Sequence, residues 1–209
     1  VFGRNHIFAS LASLALSSGL KLNMITAVNS LKNYDVPPGR MRLLTGIHGS
    51  HIIDDTYNSS PFACESALKT LGEVKRENKD NGTGGYRKIA ILGDMLELGR
   101  HTEEAHMRIG EIAKESLNGK TGILITVGPR AESIAKGAME AGMKKENIFE
   151  FTDSHEVSDF IKTFIQKRDL VLVKGSQGMR MERVVEAILR DKKNKKRLLV
   201  RQDAEWKRR

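Results

Sequence analysis

The chain has 209 residues, 39% of them hydrophobic, enough apolar material for at least one buried core, which excludes disorder throughout. Its net charge of +9 would suggest an anionic polymer as partner, yet ten Lys/Arg against three Asp/Glu between Arg190 and Arg209 place +7 of it in the tail. The remaining +2 leaves residues 1–189 near balance, so nucleic acid is not expected as a partner.

From Asn5 to Ser18, Ile7, Leu11, Leu14 and Ala15 recur at helical spacing, and Gly19 supplies a stop. A second short helix fits Asn23 to Leu31. Pro37-Pro38-Gly39 interrupts regular structure, because neither proline donates a backbone hydrogen bond, and a domain boundary is expected there. Beyond it, short apolar runs alternate with helical stretches. The predicted strands are His51-Ile52-Ile53, Lys88 to Leu92, Gly122 to Val127, Ile148 to Phe151 and Leu170 to Val173. The predicted helices are Pro61 to Arg76, Glu103 to Leu117, Ala131 to Ala141, Ser154 to Gln166 and Met179 to Leu189, with a glycine-rich loop over Asn78 to Gly85. This pattern predicts an α/β fold, a Rossmann-like, mostly parallel sheet with flanking helices, preceded by a short helical segment.

The tail reads as a solvated helix in which Leu198, Leu199, Val200 and Trp206 suggest packing. No apolar run approaches the roughly 18 residues that span a bilayer, and no signal segment opens the chain. A single cysteine, Cys64, has no disulfide partner, so a reducing, cytoplasmic compartment is expected. Val1 is not an initiator methionine, and the chain reads as a fragment.

In such folds ligands bind beyond the carboxyl ends of the strands. Those positions hold Asp54-Asp55-Thr56-Tyr57-Asn58, Gly93-Asp94, Gly128 and Lys174-Gly175-Ser176. The adjacent carboxylates of Asp54 and Asp55 repel unless a ribose hydroxyl, a cation or an arginine compensates. Alternatively they open a turn before a helix capped by Ser59 or Ser60, with Pro61 in its first turn. Lys174-Gly175-Ser176 either holds an anion or forms a strand-to-helix turn with a serine cap. Arg40, beside the prolines, either overhangs a cleft between domains or is a solvated surface residue. Gly119-Lys120-Thr121 lacks the earlier glycine of a phosphate loop, where Lys114 stands, and lies in helix-to-strand order. Gly82, Gly84 and Gly85 also precede a strand, which excludes a dinucleotide fingerprint. Glu97, His101, Glu103, Glu104 and His106 match no metal-ligand spacing, so no metal site is expected. Met179, Met181, Val184 and Val185 read as helix packing.

Taken in their order and spacing, Pro38-Gly39-Arg40-Met41, Ile53 to Pro61, Ile91 to Gly99 and Leu172 to Ser176 resemble the MurF branch of the Mur ligases. The similarity runs from about Gly3 to Leu189, and Leu198 to Trp206 is similar to a tail in some MurF-like chains. The resemblance implies that residues 1–36 end a central ATPase domain, that 37–190 form the C-terminal domain and that 191–209 are a basic tail. It implies an ATP-dependent peptide ligase of peptidoglycan synthesis in the intact parent. ATP would phosphorylate the terminal carboxylate of UDP-MurNAc-tripeptide, and the amine of D-alanyl-D-alanine would then attack the acyl phosphate. The phosphate loop and the Mg2+ ligands are implied for the preceding region, so this segment alone is expected to be inactive.

The resemblance also assigns residues. Arg40 matches the arginine that reaches the ATP phosphates, and Asp55 the carboxylate on the ribose, with Tyr57 and Asn58 in the same nucleotide-facing loop. Lys174 and Ser176 fall where the acceptor substrate is held, and Arg40 and Lys174 are the candidates for catalytic roles. The family's Gly-x-His-Asn, followed by an adenine-contacting Asn, here reads Gly3-Arg4-Asn5-His6 with Ala9, so the pair is inverted and the adenine-side amide is missing. Asn5 and His6 remain as nucleotide-binding candidates. The alternatives are a sister Mur-type amino-acid ligase, or a non-catalytic α/β module whose basic tail binds nucleic acid.

Overall fold

The computed structural model describes residues 3, 5–74, 87–117 and 121–208, without the side chains of Asn5 and Lys207. The predicted loop at 78–85, with its three glycines, and Gly119 and Lys120 lie outside the described residues, as does Arg4.

Helices α1 (Asn5–Gly19) and α2 (Met24–Ser30) form the predicted helical pair. The Asn23 side chain caps α2 by accepting the Thr26 N–H at 3.1 Å. Much of the pair's apolar surface faces solvent, with Phe8 68% and Ile25 74% exposed. The prolines and Gly39 lead into β1 (Arg42–Thr45), an edge strand alternately buried and exposed that no sequence signal marks.

The remaining elements follow as β2 (His51–Asp55), α3 (Pro61–Glu73), β3 (Arg87–Gly93), α4 (Thr102–Ser116), β4 (Ile123–Val127), α5 (Glu132–Glu140), β5 (Ile148–Phe151), α6 (Ser154–Phe164), β6 (Asp169–Lys174) and α7 (Glu182–Ile188). The six strands form one sheet in the order β1-β2-β6-β3-β4-β5, in which only the β1–β2 pair is antiparallel. The expected α/β architecture is therefore the observed one.

Because side chains alternate across a strand, each central strand feeds two cores. Ile53, Ala90, Leu92, Leu124, Leu170 and Leu172 join α3, α4 and α5 on one face. Ile52, Ile89, Ile91, Ile125, Val171 and Val173 join α6 and α7 on the other. Helices α4 and α5 cross at Gly110 and Gly137. A Cβ at Gly110 would stand 2.1 Å from the Ile134 carbonyl oxygen, and one at Gly137 2.1 Å from that of Met107.

Helices α5 and α6 fall two residues short of their predicted extents, and α3 and α7 fall further short. Helix α3 ends at Glu73, with residues 75 and 76 outside the described set. The helix expected from Met179 begins instead as a 3-10 turn, Gln177–Met179, followed by Arg180 in the left-handed region at φ 55° and then α7. Arg180 is held there by Glu182, whose Oε1 accepts its Nε–H at 2.6 Å.

The tail is not one solvated helix. Two short helices, α8 (Lys195–Leu198) and α9 (Ala204–Lys207), flank a non-helical stretch in which Leu199 is buried in the α6–α7 core and Arg201 is buried beneath the carboxyl end of β2. The packing expected of Leu199 is present; continuous helix is not, since Leu199 is extended and Arg201 is left-handed at φ 55°.

Candidate functional site

The site grows from the register of two parallel strands. Asp55 of β2 lies opposite Lys174 of β6, and both point to the α3 face. Lys174 Nζ donates to Asp55 Oδ2 at 2.7 Å and to the Asn58 carbonyl at 2.9 Å. Lys174 is only 2% exposed, so its ammonium is separated from water and these partners replace hydration.

The two adjacent aspartates repel only weakly, Asp55 being the smallest of the causes that act on the Asp54 carboxyl. Alternation sends Asp54 to the opposite face, where Oδ1 accepts the Thr56 hydroxyl at 2.6 Å and its N–H at 3.3 Å, and Oδ2 accepts the Gly39 N–H at 3.1 Å. Neither a ribose nor an arginine is needed to compensate them: Lys174 serves Asp55, and backbone and hydroxyl donors serve Asp54. Complete burial nevertheless raises the Asp54 carboxyl to about 6, against the lowering effect of those hydrogen bonds.

The aspartates also clamp the segment after the prolines. Asp55 Oδ1 accepts the Met41 N–H at 3.1 Å, and the Gly39 carbonyl accepts the Tyr57 N–H at 3.0 Å. Gly39 is required there, with φ at +68° and a Cβ position only 2.9 Å from Tyr57 N. Arg40, held between these anchors, lays its guanidinium over the Tyr57 ring, Cζ lying 3.9 Å from the centroid. Its carbonyl accepts the His6 Nε2–H at 2.9 Å, while His6 Nδ1 pairs with the Tyr34 hydroxyl at 3.0 Å. The residues before and after the prolines are thus joined through one imidazole.

Between these groups and α3 lies a cavity of about 260 Å³, lined by His6, Arg40, Asp55, Asn58 and Lys174 among others. Its far wall is the small-residue face of α3, Ala63, Ser66, Ala67 and Thr70, at helical spacing of three and four. Those wall residues are absent from the sequence-based candidates, and the small-residue periodicity is the signal that would have found them. Helix α3 is capped by Ser60, whose Oγ accepts the Ala63 N–H at 3.4 Å, with Pro61 in the first turn. Tyr57 joins the cavity only through its stack with Arg40. The side chain of Asn5 is outside the described residues.

Ser176 has a different position. Its hydroxyl accepts the Leu96 N–H at 2.8 Å and donates to the Ser59 carbonyl at 3.4 Å, and its N–H bonds to the Asp94 carbonyl at 3.0 Å. It clasps three strand-end loops and is not among the residues lining the cavity. The neighbouring Asp94 is likewise engaged, its Oδ1 accepting the N–H groups of Arg130 at 3.0 Å and Ala131 at 2.8 Å before α5.

Among the described residues no cluster of His, Cys, Asp and Glu could hold a metal ion. His106 instead spans backbone groups, Nε2 accepting the Met95 N–H at 3.0 Å and Nδ1 donating to the Thr102 carbonyl at 2.6 Å. Burial lowers its pKa. Cys64 lies on the buried face of α3, and that burial pushes its thiol up to about 12.

A mostly parallel sheet with an ion-paired lysine and a cavity at its strand ends defines the doubly wound α/β class, which receives ligands at that edge. The family is more specific. Residues 39–177 match the Mur ligase, glutamate ligase domain, and the chain belongs to that family. It is 27% identical over 190 residues to the UDP-N-acetylmuramoyl-tripeptide--D-alanyl-D-alanine ligase of Bacillus subtilis, covering 90% of this chain and 39% of the relative. It is 30% identical to the Escherichia coli ligase of the same name, covering 89% and 37%. The MurF ligase of Thermotoga maritima, solved in complex with ADP, superposes with a TM-score of 0.67 at 27% identity, over 89% of this chain and 38% of that one. The chain thus spans under two fifths of the length of these relatives. No described helix is long and apolar enough to cross a membrane.

Proposed function

We propose that this chain is the C-terminal part of a MurF-type ligase, in which residues 1–36 end the central ATPase domain, 37–190 form the C-terminal domain and 191–209 close over it. The whole enzyme would join D-alanyl-D-alanine to UDP-MurNAc-tripeptide in the cytoplasm. The observation that carries this reading is the convergence of Arg40, Asp55, Asn58 and Lys174 on one cavity at the strand ends, together with relatives that bear that name. The solvent-facing apolar surface of α1 and α2 supports the domain division, since such a helix pair packs against further structure when it belongs to a larger domain.

A carboxylate becomes an electrophile only when one of its oxygens is made a leaving group. ATP supplies this by transferring its γ-phosphoryl group to the tripeptide carboxylate, releasing ADP. The D-alanyl-D-alanine amine then attacks the acyl carbon, and phosphate departs as the amide forms. The protein's task is positioning and charge stabilisation. Arg40, fixed in place by its stack on Tyr57 and with no ion pair of its own among the described residues, offers guanidinium donors to phosphate oxygens. Asp55 and the Asn58 loop face the ribose side, and both Asp55 oxygens retain accepting capacity beyond their bonds to Met41 and Lys174. Lys174 uses two donors on Asp55 and Asn58 and keeps a third, so it organises the loop and holds an incoming carboxylate with what remains. Ser176 acts by clasping the loops. Magnesium, which ATP chemistry requires, would be held by the central ATPase domain of the whole ligase.

The test is ADP release by the whole ligase with ATP, magnesium and UDP-MurNAc-tripeptide, with and without D-alanyl-D-alanine, beside Lys174→Ala. Release that requires the dipeptide and falls in the variant supports the reading. Release indifferent to the dipeptide removes it, as would ATPase activity of the 209-residue chain alone.

A further inference from the structure

The C-terminal segment returns to the site loop through one buried side chain. Arg201, its side chain 4% exposed, donates from Nη1 to the Tyr57 carbonyl at 3.1 Å, from Nη2 to the Thr56 carbonyl, and from Nε to Glu182 Oε2 at 3.0 Å. One planar guanidinium therefore ties α7 to two successive carbonyls of the loop that follows Asp55. Glu182 is shared with Arg180, whose Nη1 donates to the Trp206 carbonyl at 2.7 Å, and the indole lies beside both guanidinium groups, 5.3 and 5.7 Å from centroid to Cζ. One residue before Arg201, Val200 Cγ1 stands 2.9 Å from where a Cβ would lie on Gly39. The tail thus touches both the Tyr57 loop and the glycine whose carbonyl receives the Tyr57 N–H. Arg180 and Arg201 both hold φ 55°, a left-handed conformation unfavourable to side-chain-bearing residues, and it persists where surrounding contacts over-determine it.

We propose that residues 199–206 are a strap that fixes the loop at 56–58, and that Arg201 is a positioning residue for the Arg40–Tyr57 stack and the Asp55–Lys174 pair. The strap acts by removing alternatives: with both carbonyls held, the loop presents Asp55, Tyr57 and Asn58 in one arrangement before any ligand arrives. The consequence for nucleotide affinity rests on the ligase reading above; the mechanical claim does not.

Hydrogen exchange on the 209-residue chain tests the mechanical claim. In Arg201→Met the amides of residues 55–58 should exchange about tenfold faster while those of β3 and β4 stay unchanged. Arg201→Lys, which keeps a cation for Glu182 but cannot span both carbonyls, should fall between and covers the case in which the methionine variant does not fold. Unchanged exchange at 55–58, or equal acceleration across β3 and β4, overturns the strap. In the whole ligase, Arg201→Lys should raise KM for ATP about tenfold, leave KM for UDP-MurNAc-tripeptide unchanged and keep kcat near its original value. A ligase in which KM for ATP does not move overturns the positioning role. Absence of dipeptide-dependent ADP release from the unsubstituted enzyme removes the ligase reading alone, and exchange then decides the strap.

Discussion

Lys174 and Asp55 face each other across the β2–β6 ladder and pair at 2.7 Å although they are 119 residues apart in sequence. Removing one partner leaves a buried charge without compensation. Lys174→Met should cost about 3–5 kcal/mol in urea unfolding. The double variant Asp55→Asn, Lys174→Met should recover much of that stability and yet show no dipeptide-dependent ADP release. Costs of the two substitutions that simply add would show that the pair is not coupled.

Asp54 makes stability depend on pH in the opposite sense to an ordinary surface carboxylate. Its folded-state pKa, raised by burial to about 6, lies above the ordinary value of 3.8, so its contribution favours folding fully below 3.8 and is lost as pH rises through 6. The whole span is on the order of 3 kcal/mol. Between pH 4 and 6 the unfolding free energy of Asp54→Asn, measured against the original chain, should lack this decline. A difference that does not vary over that window would refute the assignment.

His106 works the other way. Burial lowers its folded-state pKa below the ordinary value of 6.5, so its contribution is present above 6.5 and is lost as pH falls from there through the lowered folded value. Protonating Nε2 would also remove the acceptor of the Met95 N–H. In NMR titration its ring signals should move only at pH values lower than those at which an ordinary imidazole titrates. His106→Leu should cost about 1–3 kcal/mol by orphaning that buried N–H.

Gly110 and Gly137 let two helix backbones touch. Gly110→Ala would drive a methyl to 2.1 Å from the Ile134 carbonyl oxygen, and the helices must part to relieve it. Overpacking of this kind should lower stability by about 1–3 kcal/mol, or more if the backbone cannot yield. Thermal unfolding followed by circular dichroism reads this directly, and an unchanged Tm would show that the crossing is looser than described.

Arg40 offers the cleanest separation of stability from function, because its guanidinium lies on the surface over Tyr57. Arg40→Ala should change stability by no more than about 1 kcal/mol. In the whole ligase it should reduce kcat/KM for ATP about a hundredfold. Equal loss in stability and activity would make the stack structural.

Local patterns carried the secondary structure. The short apolar runs of β2, β3, β4 and β6, the serine and proline opening α3, and the glycine-bearing turns after the strands were legible because each depends on neighbours in sequence. They also marked the strand ends as the place for ligands, and Asp55, Asn58 and Lys174 do meet there. Edge strand β1 escaped because Arg42 to Thr45, alternately buried and exposed, make no continuous apolar run, and its pairing needs β2 to exist first. The break at Arg180 and the return of Arg201 escaped because both are set by Glu182, a charge whose burial no local pattern reveals. Which side chain compensates Asp55, and what holds the loop beside it, were decided by parallel strand pairing and the folded-back tail. Such contacts join residues more than a hundred positions apart, and only the closed tertiary structure brings them within hydrogen-bonding distance.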